Sequence, residues 1–71
     1  MSLLKRLMWP QQGDEIEVYR DGVLIAEGYV NYMDDHVISV TGKRLSMYRL
    51  KCSELSSGLD DRSIVVKKIK Q

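Results

Sequence analysis

The chain has 71 residues, of which 44% are hydrophobic and 30% charged, and its net charge is +1. This length and composition predict one folded domain over residues 1–71 and exclude a disordered tail. A single cysteine, Cys52, excludes an internal disulfide, and together with the single histidine, His36, it argues against a Cys/His zinc site.

The N-terminal segment predicts a short helix over residues 2–9, with Ser2 as N-cap and Pro10 as the stop signal. Its apolar side chains form one stripe: Leu3, Leu4, Leu7 and Met8. Because so short a helix is not stable alone, the stripe is expected to dock as a lid on a small sheet. A partner-binding helix and a shallow membrane anchor are the alternatives. No transmembrane segment or secretory signal is recognised, which favours a cytoplasmic location.

A β-hairpin is predicted next. Residues 14–20 alternate between apolar and polar side chains, and Asp21-Gly22 is a strong signal for a two-residue type I′ turn. Such a turn pairs Arg20 with Val23 and Val18 with Ile25. The predicted inner face of the hairpin then carries Ile16, Val18, Val23 and Ile25.

Gly28 interrupts the second strand and predicts a bend, after which the strand continues to Met33. The rest of the pattern predicts a turn at Asp34-Asp35, strands over 36–41, 45–51 and 63–70, one helical turn over 52–55 and a polar loop over 56–62. The predicted fold class is therefore all-β: a small five-stranded antiparallel barrel over residues 14–70, preceded by a short N-terminal helix.

Two stretches carry a resemblance of layout. The first three strands of Sm-like and SH3/Tudor-like barrels resemble the run IEVYRDGVLIAEGYVNYMDDHVISV, and the fourth strand and helical turn of that class resemble YRLKCSEL. A leading helix is similar to the order in Rof-type Sm-like inhibitors of the Rho terminator. The resemblance implies an SH3/Sm-like barrel. His36 stands where the Sm RNA pocket has Asn, and Leu50 follows Arg49 where the second Sm motif has Gly, so RNA-ring function is not carried over.

The sequence predicts no catalytic site, cofactor or metal. Asp34-Asp35-His36 is interpreted as an acidic turn, since neighbours in a turn point in different directions and a hard cation needs more oxygen ligands. Cys52 is interpreted as a small buried hydrophobic residue. The five glycines are scattered singly, so no phosphate-binding loop is present.

Charge segregation is the main functional signal. Residues 13–36 contain seven acidic residues and one arginine, a net charge of −6, whereas residues 37–55 contain four basic residues and one acid, a net charge of +3. This split favours a protein-interaction module, a regulator or inhibitor of another protein, including one that binds nucleic acid. Small accessory proteins of phages and mobile elements have this character. Self-association is a further possibility. The candidate protein-binding residues are Glu15, Glu17, Tyr19, Asp34 and Asp35.

The alternative is a single-stranded RNA- or DNA-binding protein. Small barrels bind single strands with cations along the backbone and aromatic rings that stack on the bases. The candidate residues are Lys43, Arg44, Tyr48, Arg49 and Lys51. A net charge near zero and the acidic segment argue against this alternative.

Overall fold

The computed structural model describes residues 3–69, without the side chains of Leu4 and Leu45. The predicted N-cap, Ser2, and the end of the predicted last strand at residue 70 lie outside the described residues. The elements are α1 (Leu3–Met8), β1 (Glu15–Arg20), β2 (Val23–Met33), β3 (Val37–Thr41), a 3-10 turn (Lys43–Leu45), β4 (Met47–Lys51), α2 (Cys52–Asp61) and β5 (Ile64–Lys68).

The five strands form one antiparallel sheet in the order β4-β3-β2-β1-β5. A small β-rich domain with an N-terminal helix is therefore confirmed. Within residues 3–69, β4 and β5 are not paired with each other, so the sheet is not closed into the barrel that the sequence predicted. The physical reason is the connection between them: the chain passes from β4 to β5 through α2, which packs against both strands.

The first hairpin confirms the turn and corrects the register. Asp21 and Gly22 have φ angles of 51° and 82°, as a type I′ turn requires. Arg20 pairs with Val23 as predicted, but a β-bulge then shifts the register, and Val18 pairs with Ala26 instead of Ile25. Ala26 is consequently buried, and Ile25 is half-buried but still packs against the core as predicted. Val23 is 63% exposed, so its predicted burial on the inner face was wrong.

The segment 56–62 is helical through Asp61 and is not the predicted polar loop. Leu55 and Leu59 lie one turn apart, and both are buried against the sheet. Gly58 allows the close approach, because a Cβ there would lie 2.8 Å from the Cβ of Ile64. The core that α2 completes consists of Ile16, Val18, Ala26, Val30, Ile38, Val40, Leu55, Leu59, Ile64 and Val66.

Helix α1 docks through only part of the predicted stripe. Met8 packs against the core, whereas Leu3 and Leu7 are 71% and 63% exposed and were wrongly expected to be buried. Lys5 is buried instead: its Nζ donates a hydrogen bond to Ser56 Oγ at 2.6 Å and lies 2.9 Å from Asp60 Oδ1. Neither helix of the described residues is long and apolar enough to cross a membrane.

Candidate protein-interaction surface

One face of the sheet covers the core, and the opposite face, called here the outer face, carries half of the candidate residues. Side chains alternate along a strand, so the buried Ile16 and Val18 of β1 place Glu15, Glu17 and Tyr19 on the outer face. This alternation confirms that these three predicted residues share one surface.

The acidic residues of the outer face come from neighbouring strands. Glu17 stands directly opposite Glu27 on β2 and Lys67 on β5, and Glu15 stands opposite Tyr29. Like charges directly opposite each other destabilise a sheet, and only one cation, Lys67, shares their cross-strand row. The pairing of two glutamates is therefore a cost to stability that a cationic partner would relieve.

Tyr19 orders this cluster. Its hydroxyl donates a hydrogen bond to Glu17 Oε1 at 3.0 Å, and the Nζ of Lys67 lies 6.0 Å from the centre of its ring. The bond to Glu17 is the main reason that the pKa of Tyr19 lies above its usual value, followed by desolvation and the negative charges of Glu17 and Glu27. The phenol stays protonated at neutral pH and holds the carboxylate as a fixed acceptor.

A shallow cavity of about 410 Å³ opens beside the cluster. Its lining includes the three glutamates of the outer face, Tyr29 and Lys43. Gly28 brings β2 against the end of β3, because a Cβ at this position would overlap the carbonyl of Thr41. The groove is therefore acidic and partly aromatic.

Asp34 and Asp35 lie elsewhere. Asp34 follows Tyr29 by five residues along β2 and its end, a separation of about 16 Å in an extended strand. Its Oδ1 accepts hydrogen bonds from the backbone N–H groups of His36 and Val37, each at 2.8 Å, and its Oδ2 accepts one from the Tyr32 hydroxyl at 2.8 Å.

The bonds to Asp34, led by the one from His36, hold the pKa of its carboxyl below the usual value. Asp34 thus closes the turn between β2 and β3, whereas Asp35 is exposed. The five predicted protein-binding residues form two separate groups, one on the outer face and one in this turn.

The predicted nucleic-acid-binding residues are also divided. Arg49 and Lys51 are exposed on the outer face of β4, and Lys43 and Arg44 are exposed in the 3-10 turn. Tyr48 has the opposite orientation: it is half-buried and packs against the core. It therefore does not share a face with Arg49 and Lys51 as a stacking platform.

Glu27 belongs to the acidic groove but was not among the predicted binding residues. The register expected from the turn alone places Ala26 opposite Glu17, which turns Glu27 towards the core. The bulge after Leu24 reverses the orientation of the following residues and brings Glu27 to the outer face. No signal in the local sequence pattern indicates this shift.

Cys52, the only thiol, is half-buried and packs against the core. Desolvation, followed by the charges of Asp34 and Asp35, raises its pKa, so the thiol is protonated at neutral pH. Within the part of the chain that the structure describes, no group of three His, Cys, Asp or Glu side chains is arranged to hold a metal ion.

Comparison with protein-family models, with curated proteins and with solved structures gives no match to the chain. The resemblance to Sm-like and SH3/Tudor-like domains therefore extends to a small five-stranded antiparallel sheet and has no support from relatives.

Proposed function

We propose that this protein is a non-catalytic binding module that acts as a regulator or inhibitor of another protein, and that the acidic groove of its outer face contacts a basic surface of that partner. The observation that carries the proposal is the pairing of Glu17 with Glu27 across two strands, beside Glu15 and Tyr29. A lysine or arginine of a partner entering the groove would meet carboxylates and an aromatic ring together.

Tyrosines strengthen this interpretation. Tyr29 and Tyr32 are 53% and 51% exposed on β2, and tyrosine is enriched at the centres of protein interfaces. The hydroxyl of Tyr32 is bonded to Asp34 Oδ2 at 2.8 Å, so this side chain loses little freedom when a partner binds. The same surface would suit a partner whose basic groove otherwise holds nucleic acid.

The experiment is affinity capture from a cell lysate, repeated with two variants of equal net charge. One carries Glu15→Gln and Glu17→Gln on the outer face, and the other carries Asp35→Asn and Glu54→Gln away from it. Glutamine can still accept the bond from the Tyr19 hydroxyl, so the fold is kept. We expect the first variant to lose the partner and the second to keep it. Retention by both, or equal loss by both, would contradict the proposal.

Single-stranded nucleic acid is the second candidate ligand. It is favoured by Arg49 and Lys51, two exposed cations at alternate positions of β4, with Lys43 and Arg44 before the strand. Titration of a labelled oligonucleotide at two salt concentrations tests it, because phosphate contacts weaken steeply as salt rises. Binding that falls with salt and is lost in an Arg49→Glu, Lys51→Glu variant would support this candidate, and absence of binding at low salt would exclude it.

A further inference from the structure

The edge of the sheet at β4 has a set of backbone groups directed away from its one neighbour. Two hydrogen bonds fix the alternation: Cys52 N–H donates to His36 O at 2.9 Å, and Gly42 N–H donates to Ser46 O at 2.7 Å. In an antiparallel ladder, every second pair exchanges such bonds. Residues 48 and 50 therefore direct their backbone groups towards β3.

The residues that alternate with these two have backbone groups directed away from β3. Met47 and Arg49 direct their backbone N–H and C=O groups towards the free edge, and the strand order places no strand there within residues 3–69. An open row of donors and acceptors is a template for one more strand. Met47, Arg49 and Lys51 are exposed along β4.

A cavity of about 390 Å³ runs beside the same edge, between β4, α2 and the beginning of β5. Core residues line its floor, among them Val18, Leu55 and Ile64, and all three are at least 95% buried. It lies where the sheet would close if β4 met β5. The cavity therefore offers apolar contact to side chains on the inner side of an added strand.

The rim of this cavity is cationic. Arg20, Arg49 and Lys51 line it, against one acid, Glu54. Arg49 and Lys51 project on the outer side of β4, so they would neighbour the outward side chains of an added strand. The inner side of that strand would thus meet apolar groups and the outer side would meet positive charge.

We infer that the β4 edge binds an extended segment of a partner protein that pairs with β4 as an additional strand and alternates apolar with acidic residues. This site is separate from the acidic groove and does not depend on the proposed function. The chemistry required of the partner is also opposite: an acidic segment at the β4 edge, and a basic surface at the outer face.

The edge at β5 does not offer the same site. Lys67 and Lys68 lie along that strand, α1 packs against it, and Lys68 Nζ lies 3.3 Å from Asp14 Oδ2. Lysines and a covering helix are common means of protecting a sheet edge. The β4 edge also carries cationic side chains and contacts α2, so it is distinguished by the apolar floor of the adjoining cavity.

The test uses the whole protein and a synthetic nine-residue peptide that alternates glutamate with valine and carries a fluorescent label. Binding is followed by fluorescence anisotropy, and the backbone contact is followed by hydrogen exchange of the Met47 and Arg49 amides. A second peptide has the same sequence but is N-methylated at every second residue, so it cannot form the ladder. We expect the first peptide to bind and to protect both amides, and the second peptide not to bind.

A matched pair of variants tests the charge on the rim. Arg49→Glu should weaken binding of the peptide roughly fivefold to tenfold, because an attractive contact becomes repulsive. Arg6→Glu, which makes the same charge change on the exposed side of α1, should leave it unchanged. No binding of the acidic peptide, binding without amide protection, or equal effects of the two variants would overturn the inference.

A second copy of the chain could also pair with the β4 edge. Sedimentation velocity of the protein alone tests for this self-association. We expect a monomer over the concentration range of the titration. A concentration-dependent dimer whose Met47 and Arg49 amides are already protected would show that the edge serves self-association, and the partner segment would then be excluded.

Discussion

Replacement of Gly28 by alanine tests the backbone contact that shapes the acidic groove. Gly28 has a φ of 138°, a conformation that side chains rarely adopt, and an added Cβ would lie 2.6 Å from the carbonyl carbon of Thr41 and 2.7 Å from Gly42 Cα. The backbone strain costs about 1–3 kcal/mol, and the overlap with main-chain atoms costs about 1–3 kcal/mol more. We therefore expect Gly28→Ala to lower the free energy of unfolding by about 2–6 kcal/mol.

A domain of this length has a total stability of only about 4–10 kcal/mol, so the loss is a large part of it. Gly22→Ala is the matched control, since Gly22 also has a positive φ, 82°, but no atom lies within 4 Å of the position that its Cβ would take. This control should cost about 1–2 kcal/mol. Urea unfolding, monitored by circular dichroism with an osmolyte added to every sample, measures the difference in the free energy of unfolding between the two variants. Equal losses in the two variants would refute the close contact between β2 and the end of β3.

Three further outcomes follow from the contacts described above. Gly58→Ala should be destabilising in thermal unfolding although alanine favours a helix, because overlap with Ile64 costs about 1–3 kcal/mol and the propensity gain is about 1 kcal/mol; a raised melting temperature would contradict this. The Asp34 carboxyl has a lowered pKa in the folded state, so its contribution is present above the unfolded pKa and is lost as pH falls through the folded one. Asp34→Asn should therefore flatten the decrease in stability between pH 5 and pH 2, about the range in which such a carboxyl titrates. An unchanged dependence of stability on pH would contradict the stabilisation of the turn by the Asp34 carboxylate. Cys52, whose pKa is raised, should react with iodoacetamide at pH 8 more slowly than free cysteine, and a faster reaction would be inconsistent with its burial.

The sequence predicted the strands well because the formation of strands and tight turns depends mainly on neighbouring residues. The Asp21-Gly22 turn and the alternation of Ile16 and Val18 specify the first hairpin, and Gly28 marks a position where β2 contacts another part of the backbone. These features need only the conformational preferences of a few residues. Three of the five proposed protein-binding residues fall on one face for the same reason.

The features that the sequence did not reveal depend on distant contacts. The bulge after Leu24 sets the orientation of Glu27, and nothing in the local alternation requires it. Helix α2 is rich in serine and contains Gly58, both weak helix formers, and it is stabilised by burial of Leu55 and Leu59 against the sheet. Closure of a barrel likewise depends on whether that connection lets β4 reach β5.

Helix α1 shows the same limit. An apolar stripe predicts a buried face, but a lysine with its own partners can take that place. Lys5 is paired with Ser56 and Asp60, more than fifty residues away, and this pairing turns Leu3 and Leu7 outwards. A pattern within six residues does not contain that information.

The most direct test of the binding function is a titration of the isotope-labelled protein with a short arginine-rich peptide, followed by amide chemical shifts. We expect the shifts to concentrate at Glu15, Glu17, Glu27 and Tyr29 and to diminish as salt is added. Shifts centred on the turn at Asp34 and Asp35, or no shifts at low salt, would contradict the claim that the outer face is the interaction surface.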